Sequence, residues 1–111
     1  MPYIEQKDRY MLDPYIDDLS NTIVNLAREK DGLKFAGFLN YVMTRTLLKV
    51  FKGLYGKPSY WMLAMMFGVL LTMALELYRR IAVPFEEKKI IENGDLDVFG
   101  ELGEQEEKQR G

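Results

Sequence analysis

Neither cysteine nor histidine occurs anywhere in the 111 residues. The first absence removes disulfides, thiol nucleophiles and thiolate metal sites. The second removes the usual acid–base group near neutral pH and the commonest metal ligand. Only carboxylate or backbone oxygens remain to hold a metal, and these favour Mg²⁺, Mn²⁺ or Ca²⁺. No cofactor is expected. Sustained two-residue alternation of apolar and polar side chains is also missing, which argues against strands. There is no Gly-rich phosphate loop, no nucleophile elbow and no internal repeat. The opening MPYIEQKDRY lacks the basic-then-apolar layout of a signal peptide, so a cytoplasmic location is expected, with virion and membrane as alternatives.

What is present is apolar and unevenly charged. Hydrophobic residues make up 48% of a 13.0 kDa chain, enough for one modest core and no second. The net charge of −2 hides an asymmetry. Residues 33–90 carry nine Lys/Arg against three Glu, whereas 91–111 carry two Lys/Arg against seven Asp/Glu.

Three main helices are predicted, over about 14–30, 33–55 and 60–83. Asp13-Pro14 pairs an N-cap oxygen with a residue suited to the first helical turn. Ile16, Leu19, Ile23 and Leu26 then recur at three- and four-residue steps. Asp31-Gly32 offers a stop through a left-handed glycine. In the second helix the apolar stripe from Phe35 to Leu54 is wide enough to touch two neighbours. Ser59 is the expected cap of the third helix, and Pro84 should end or kink it. A short helix follows, to a stop at Asn93-Gly94. The fold class is therefore all-α, an antiparallel hairpin or bundle. Residues 1–95 should form one helical domain and 96–111 an acidic, flexible tail.

Trp61 to Leu75 holds fifteen residues without a charge. Tyr60 and Trp61 at one end, and Tyr78, Arg79 and Arg80 at the other, resemble an interfacial belt. A membrane span needs about 20 apolar residues, and Glu76 interrupts the run early. Burial against other copies of the chain fits the length better. Ala64, Gly68 and Thr72 form a small-residue stripe for close helix approach, flanked by Trp61 and Met65. These five are the candidate oligomer interface.

Candidate chemistry is sparse. Glu76 precedes Arg79 and Arg80 by three and four residues, the spacing of an intrahelical clasp. An Mg²⁺-dependent nucleotide hydrolase would need paired E-x-x-E motifs on facing helices. Here Glu101, Glu104 and Glu107 supply that spacing only beyond the predicted helices. Arg45, Lys49 and Lys52 recur on one face of the second helix, and with Tyr41, Arg79 and Arg80 they could grip a phosphate-bearing molecule. Merely solubilising that face is an equal alternative. Nucleic acid is a poor partner for a negatively charged chain with an acidic tail.

The stretch Glu76-x-Tyr78-Arg79-Arg80-x-x-x-Pro84-Phe85-Glu86-Glu87-x-Lys89, closing with Glu92-Asn93-Gly94-Asp95, resembles the C-terminal signature of a family of small uncharacterised phage and bacterial proteins. Pro2-Tyr3-Ile4, Leu12-Asp13-Pro14-x-Ile16 and Leu39-Asn40-Tyr41-Val42-x-Thr44-Arg45 are similar to its earlier blocks. The resemblance spans about residues 2–95. It implies a helical, often phage-encoded protein without an activity to carry over, and points to Asn40, Arg45, Arg79, Arg80, Asn93 and Asp95 as polar positions to test. Relatives tend to a more polar third helix, so Trp61–Leu75 departs from them. The expected function is a non-enzymatic homo-oligomer, binding an anionic small molecule such as a signalling nucleotide. A virion or scaffold component and a single-span membrane protein are the alternatives.

Overall fold

Helix-favouring residues dominate the chain, and helix is what forms. A computed structural model describes residues 2–110, with side chains through 103. The protein is all-α: α1 is Gln6–Glu29, α2 Phe35–Tyr55, α3 Tyr60–Leu77, α4 Val83–Asn93 and α5 Asp97–Arg110. No strand occurs among the described residues. The chain divides into two units, Met1–Thr72 and Met73–Gly111, with α3 running across the division.

In the first unit α1 starts at Gln6, well before the expected Asp13-Pro14 cap, and Pro14 lies inside the helix. Gln6 to Leu12 favours helix. A proline eight residues in withholds the N–H that would otherwise bond the Tyr10 carbonyl. That local loss does not stop the helix. Its far end also differs from expectation. Gly32 does not take a positive φ; instead Asp31 Oδ1 accepts a 3.1 Å hydrogen bond from Leu33 N–H and caps the 3₁₀ turn Gly32–Lys34.

Half-buried Ile23 and Ala27 mark the α1 side of a seam whose α2 side begins at Phe38 and Val42. Further along α2, half-buried Leu47 and Phe51 face the start of α3, where Met66 is half-buried and Met62 is 4% exposed. The wide stripe of α2 thus serves two neighbours, as its pattern predicts. Between α2 and α3 the backbone reverses at Gly56, φ +79°, whose N–H bonds the Lys52 carbonyl at 3.0 Å. That φ suits glycine and few other residues. Tyr55 and Trp61 meet edge to face across the turn, centroids 5.1 Å apart. Ser59 does not cap α3 with its side chain; its hydroxyl is buried without a partner, and only its carbonyl accepts, from Leu63 N–H at 3.1 Å.

The second unit shows how the chain absorbs Pro84. Tyr78–Ala82 forms a π turn, closed by Val83 N–H bonding the Tyr78 carbonyl, and α4 resumes directly. Insertion of one residue into the helical ladder accommodates the donor that proline lacks. The helix therefore continues to Asn93, where Gly94, φ +86°, stops it as its sequence predicts. The acidic segment beyond, expected as a tail without regular structure, is helical as α5. Asp97 opens it, complementing the helix dipole and accepting from Val98 N–H at 2.9 Å.

Candidate functional site

Positions 41, 45, 49 and 52 fall on one side of α2 because steps of four and three nearly complete helical turns. The structure accordingly lines a shallow depression of about 480 Å³ with Tyr41, Arg45, Lys49 and Lys52, together with Asn40, Thr44 and Leu48. Thr44 Oγ1 donates to Asn40 Oδ1 at 3.2 Å. Arg45, Lys49 and Lys52 make no ion pair among the described residues. This is a donor-rich, cationic strip about 10 Å long at helical rise. All of its lining comes from one helix, so it offers a face and not an enclosure.

The other expected ligand residues, Arg79, Arg80, Asn93 and Asp95, belong to the second unit, whereas the α2 depression is lined by residues of the first alone. Two of them, Arg79 and Asp95, are engaged locally. Arg79 donates to Glu76 Oε1 at 2.7 Å, the clasp its spacing predicts. Asn93 ends α4, and Asp95 accepts from the N–H of Leu96 at 2.7 Å. Arg80 is exposed. No cluster of three carboxylates that could hold a metal occurs among the described residues.

The candidate interface on α3 is open. Trp61, Ala64, Met65, Gly68 and Thr72 are all exposed, and a Cβ built on Gly68 would meet nothing within 4 Å. Thr72 Oγ1 is satisfied inside the helix by the Gly68 carbonyl at 2.8 Å and the Val69 carbonyl at 3.0 Å. Its outer surface is therefore the methyl group, and the stripe presents an apolar, low-relief track. The exposed surface is not confined to that stripe. Leu63, Phe67 and Val69 are exposed on other sides of α3.

Sequence reasoning passed over Thr44 and Leu48, though each lies four residues from another member of the strip. It also missed the groove of about 390 Å³ between α2 and α3, lined by Met43, Leu47, Met66, Phe67 and Leu70. Its signal was the coincidence of two apolar stripes, which only their pairing could reveal.

A family model described as a domain of unknown function (DUF6899) matches residues 1–96. No curated protein and no solved structure matches the chain.

Proposed function

We propose, on the premise that the chain belongs to the family of the domain of unknown function DUF6899, that it is a helical homo-oligomer acting by binding. One observation carries this reading: a single copy buries one hydrophobic side chain, Met62, among the described residues. Burying an apolar side chain of that size is worth about 1.5–3 kcal/mol. Ordering the backbone costs about 1–2 kcal/mol for every residue. The exposed apolar surface must therefore find cover outside the chain.

Further copies are the cover favoured here because the surface is distributed. Leu19 and Val24 on α1, and Leu39 and Val50 on α2, are exposed as well as α3. A bilayer around α3 would leave those in water, whereas helices of sister chains can cover each in turn. The cationic strip on α2 supplies the binding face. A phosphate-bearing small molecule has the charge of Arg45, Lys49 and Lys52 in its favour. Against it stands the one-helix geometry, since small-ligand sites enclose 70–90% of their ligand. Light scattering coupled to size-exclusion chromatography, without detergent, tests the reading. A defined oligomer is expected; a stable single chain at high concentration would discard it.

A second reading rests on a specific feature. The helical run Tyr60–Asn93 is long and apolar enough to cross a membrane, with 6% of its most apolar window buried. Tyr60 and Trp61 would lie at one interface and Tyr78, Arg79 and Arg80 at the other. Recovery from cell lysates only after detergent would favour this reading over the first.

A further inference from the structure

The strip on α2 has a counterpart in the same sequence. Arg45, Lys49 and Lys52 succeed one another at steps of four and three along α2; Asp97, Glu101 and Glu104 do so along α5. Read in the same direction, the two stripes coincide residue for residue, and their charges are opposite. No described side chain of either stripe is consumed elsewhere. The three cations have no ion-pair partner among the described residues. Asp97 accepts only from its neighbour's N–H, and Glu101 is exposed with no bond to its side chain. Apolar side chains accompany both: Tyr41 and Leu48 beside the cations, Val98 and Leu102 beside the carboxylates, all exposed.

We infer that α5 of one copy docks along the basic face of α2 of a second copy, setting the acidic stripe that begins at Asp97 and Glu101 against Arg45, Lys49 and Lys52. This rests on the proposal that the chain self-associates, and it names one contact through which it does so. An open strip on a single helix is the shape a second helix fits at 8–10 Å between axes. Exposed charge pairs contribute little singly, but three in register fix which faces meet and suppress like-with-like pairing. The uneven charge of the chain, basic over 33–90 and acidic over 91–111, then becomes a device for head-to-tail recognition.

Charge reversal on each side provides the test. One variant carries Arg45→Glu, Lys49→Glu and Lys52→Glu; the other carries Asp97→Lys, Glu101→Lys and Glu104→Lys; a third carries both sets. Association is followed by sedimentation velocity at low and high salt, with circular dichroism to verify helicity. Each single-sided variant should associate roughly tenfold more weakly than the parent. The salt dependence of the parent should shrink in both. Mixing the two variants should restore association, because each supplies the face the other needs. Helical parent chains that stay monomeric would remove the oligomer proposal and this contact with it. An oligomer indifferent to either reversal would overturn the contact and leave the oligomer standing. Restoration in the doubly reversed chain, without restoration on mixing, would place the contact within one chain and overturn the second-copy assignment. Thermal stabilisation of the parent by inorganic phosphate or AMP, lost on α2 reversal, with association unchanged by α5 reversal, would make a small anion the occupant instead.

Discussion

Two consecutive helices of similar length, α2 and α3, solve the problem of water differently. α2 has sides: Phe38, Val42, Leu47 and Phe51 turn toward neighbours, while Arg45, Lys49 and Lys52 face outward. α3 has none. From Trp61 to Leu75 every direction is apolar, yet only Met62 and Met66 find partial or full cover within the chain. An amphipathic helix can be satisfied by one seam, and what remains outside is already suited to solvent. A helix apolar all round needs neighbours on every side, which three helices cannot supply. Under the proposed self-association, α3 would supply apolar contact and α2 the charged contact that selects which faces meet.

The sharpest way to break that contrast is at Met62, the most buried residue of α3. Met62→Ala should cost about 2–5 kcal/mol in urea unfolding, because the residue is only 4% exposed and loss of its side chain leaves a void. A cost below about 1 kcal/mol would mean the α2–α3 seam carries no packing. Next in size are the outward positions. Phe67→Glu and Leu71→Glu each remove a contact worth about 1.5–3 kcal/mol if sister chains cover α3. Light scattering should then show association weakened by at least tenfold; at Lys49→Gln, on the side of α2, the change should be several times smaller. Equal effects at the two helices would erase the distinction.

Reading the chain without its structure recovers much of this, and the failures have causes. Gly94 stopped α4 as expected, since Asn93-Gly94 leaves the backbone one inexpensive way out of a helix. Asp13-Pro14 misled, because a start signal also fits a helix already under way when the residues before it favour helix. Pro84 was expected to end or kink α3; the π turn Tyr78–Ala82 comes just before it and α4 resumes at Val83, a way of accommodating the missing donor that the position of a proline alone does not specify. Acidic composition suggested a tail, but Asp97 at the first turn and the helix-favouring Glu and Gln after it suffice for α5. At the candidate site, helical spacing alone collected Tyr41, Arg45, Lys49 and Lys52. It could not tell which of Arg79, Arg80, Asn93 and Asp95 were already occupied locally.

Two smaller changes calibrate the larger ones. Gly94, with φ +86° and ψ 151°, sits where only glycine is comfortable, so Gly94→Ala should lower stability by about 1–3 kcal/mol. It touches no apolar face. Melting temperature should fall while association, compared below the melt, stays as it was; a change in both would mean that Gly94 also sets how α5 is presented for docking. Glu76→Gln removes the charge from the pair with the largely exposed Arg79 and should cost only about 0.2–1 kcal/mol in the same unfolding assay. A much larger loss would show Glu76 engaged in more than a surface clasp.

The π turn at Tyr78–Ala82 leaves a lasting mark on everything after it. One surplus residue re-phases the helix by about 100°, so the compass bearings counted along Met73–Leu77 no longer apply to Val83–Asn93. Phe85 therefore lies opposite Leu75 and Ile90 within about 40° of it, the bearings each would have one residue earlier in an uninterrupted α-helix. Deleting a single residue within the turn would close the α ladder and leave those bearings in place, so the surplus residue can be lost without turning α4.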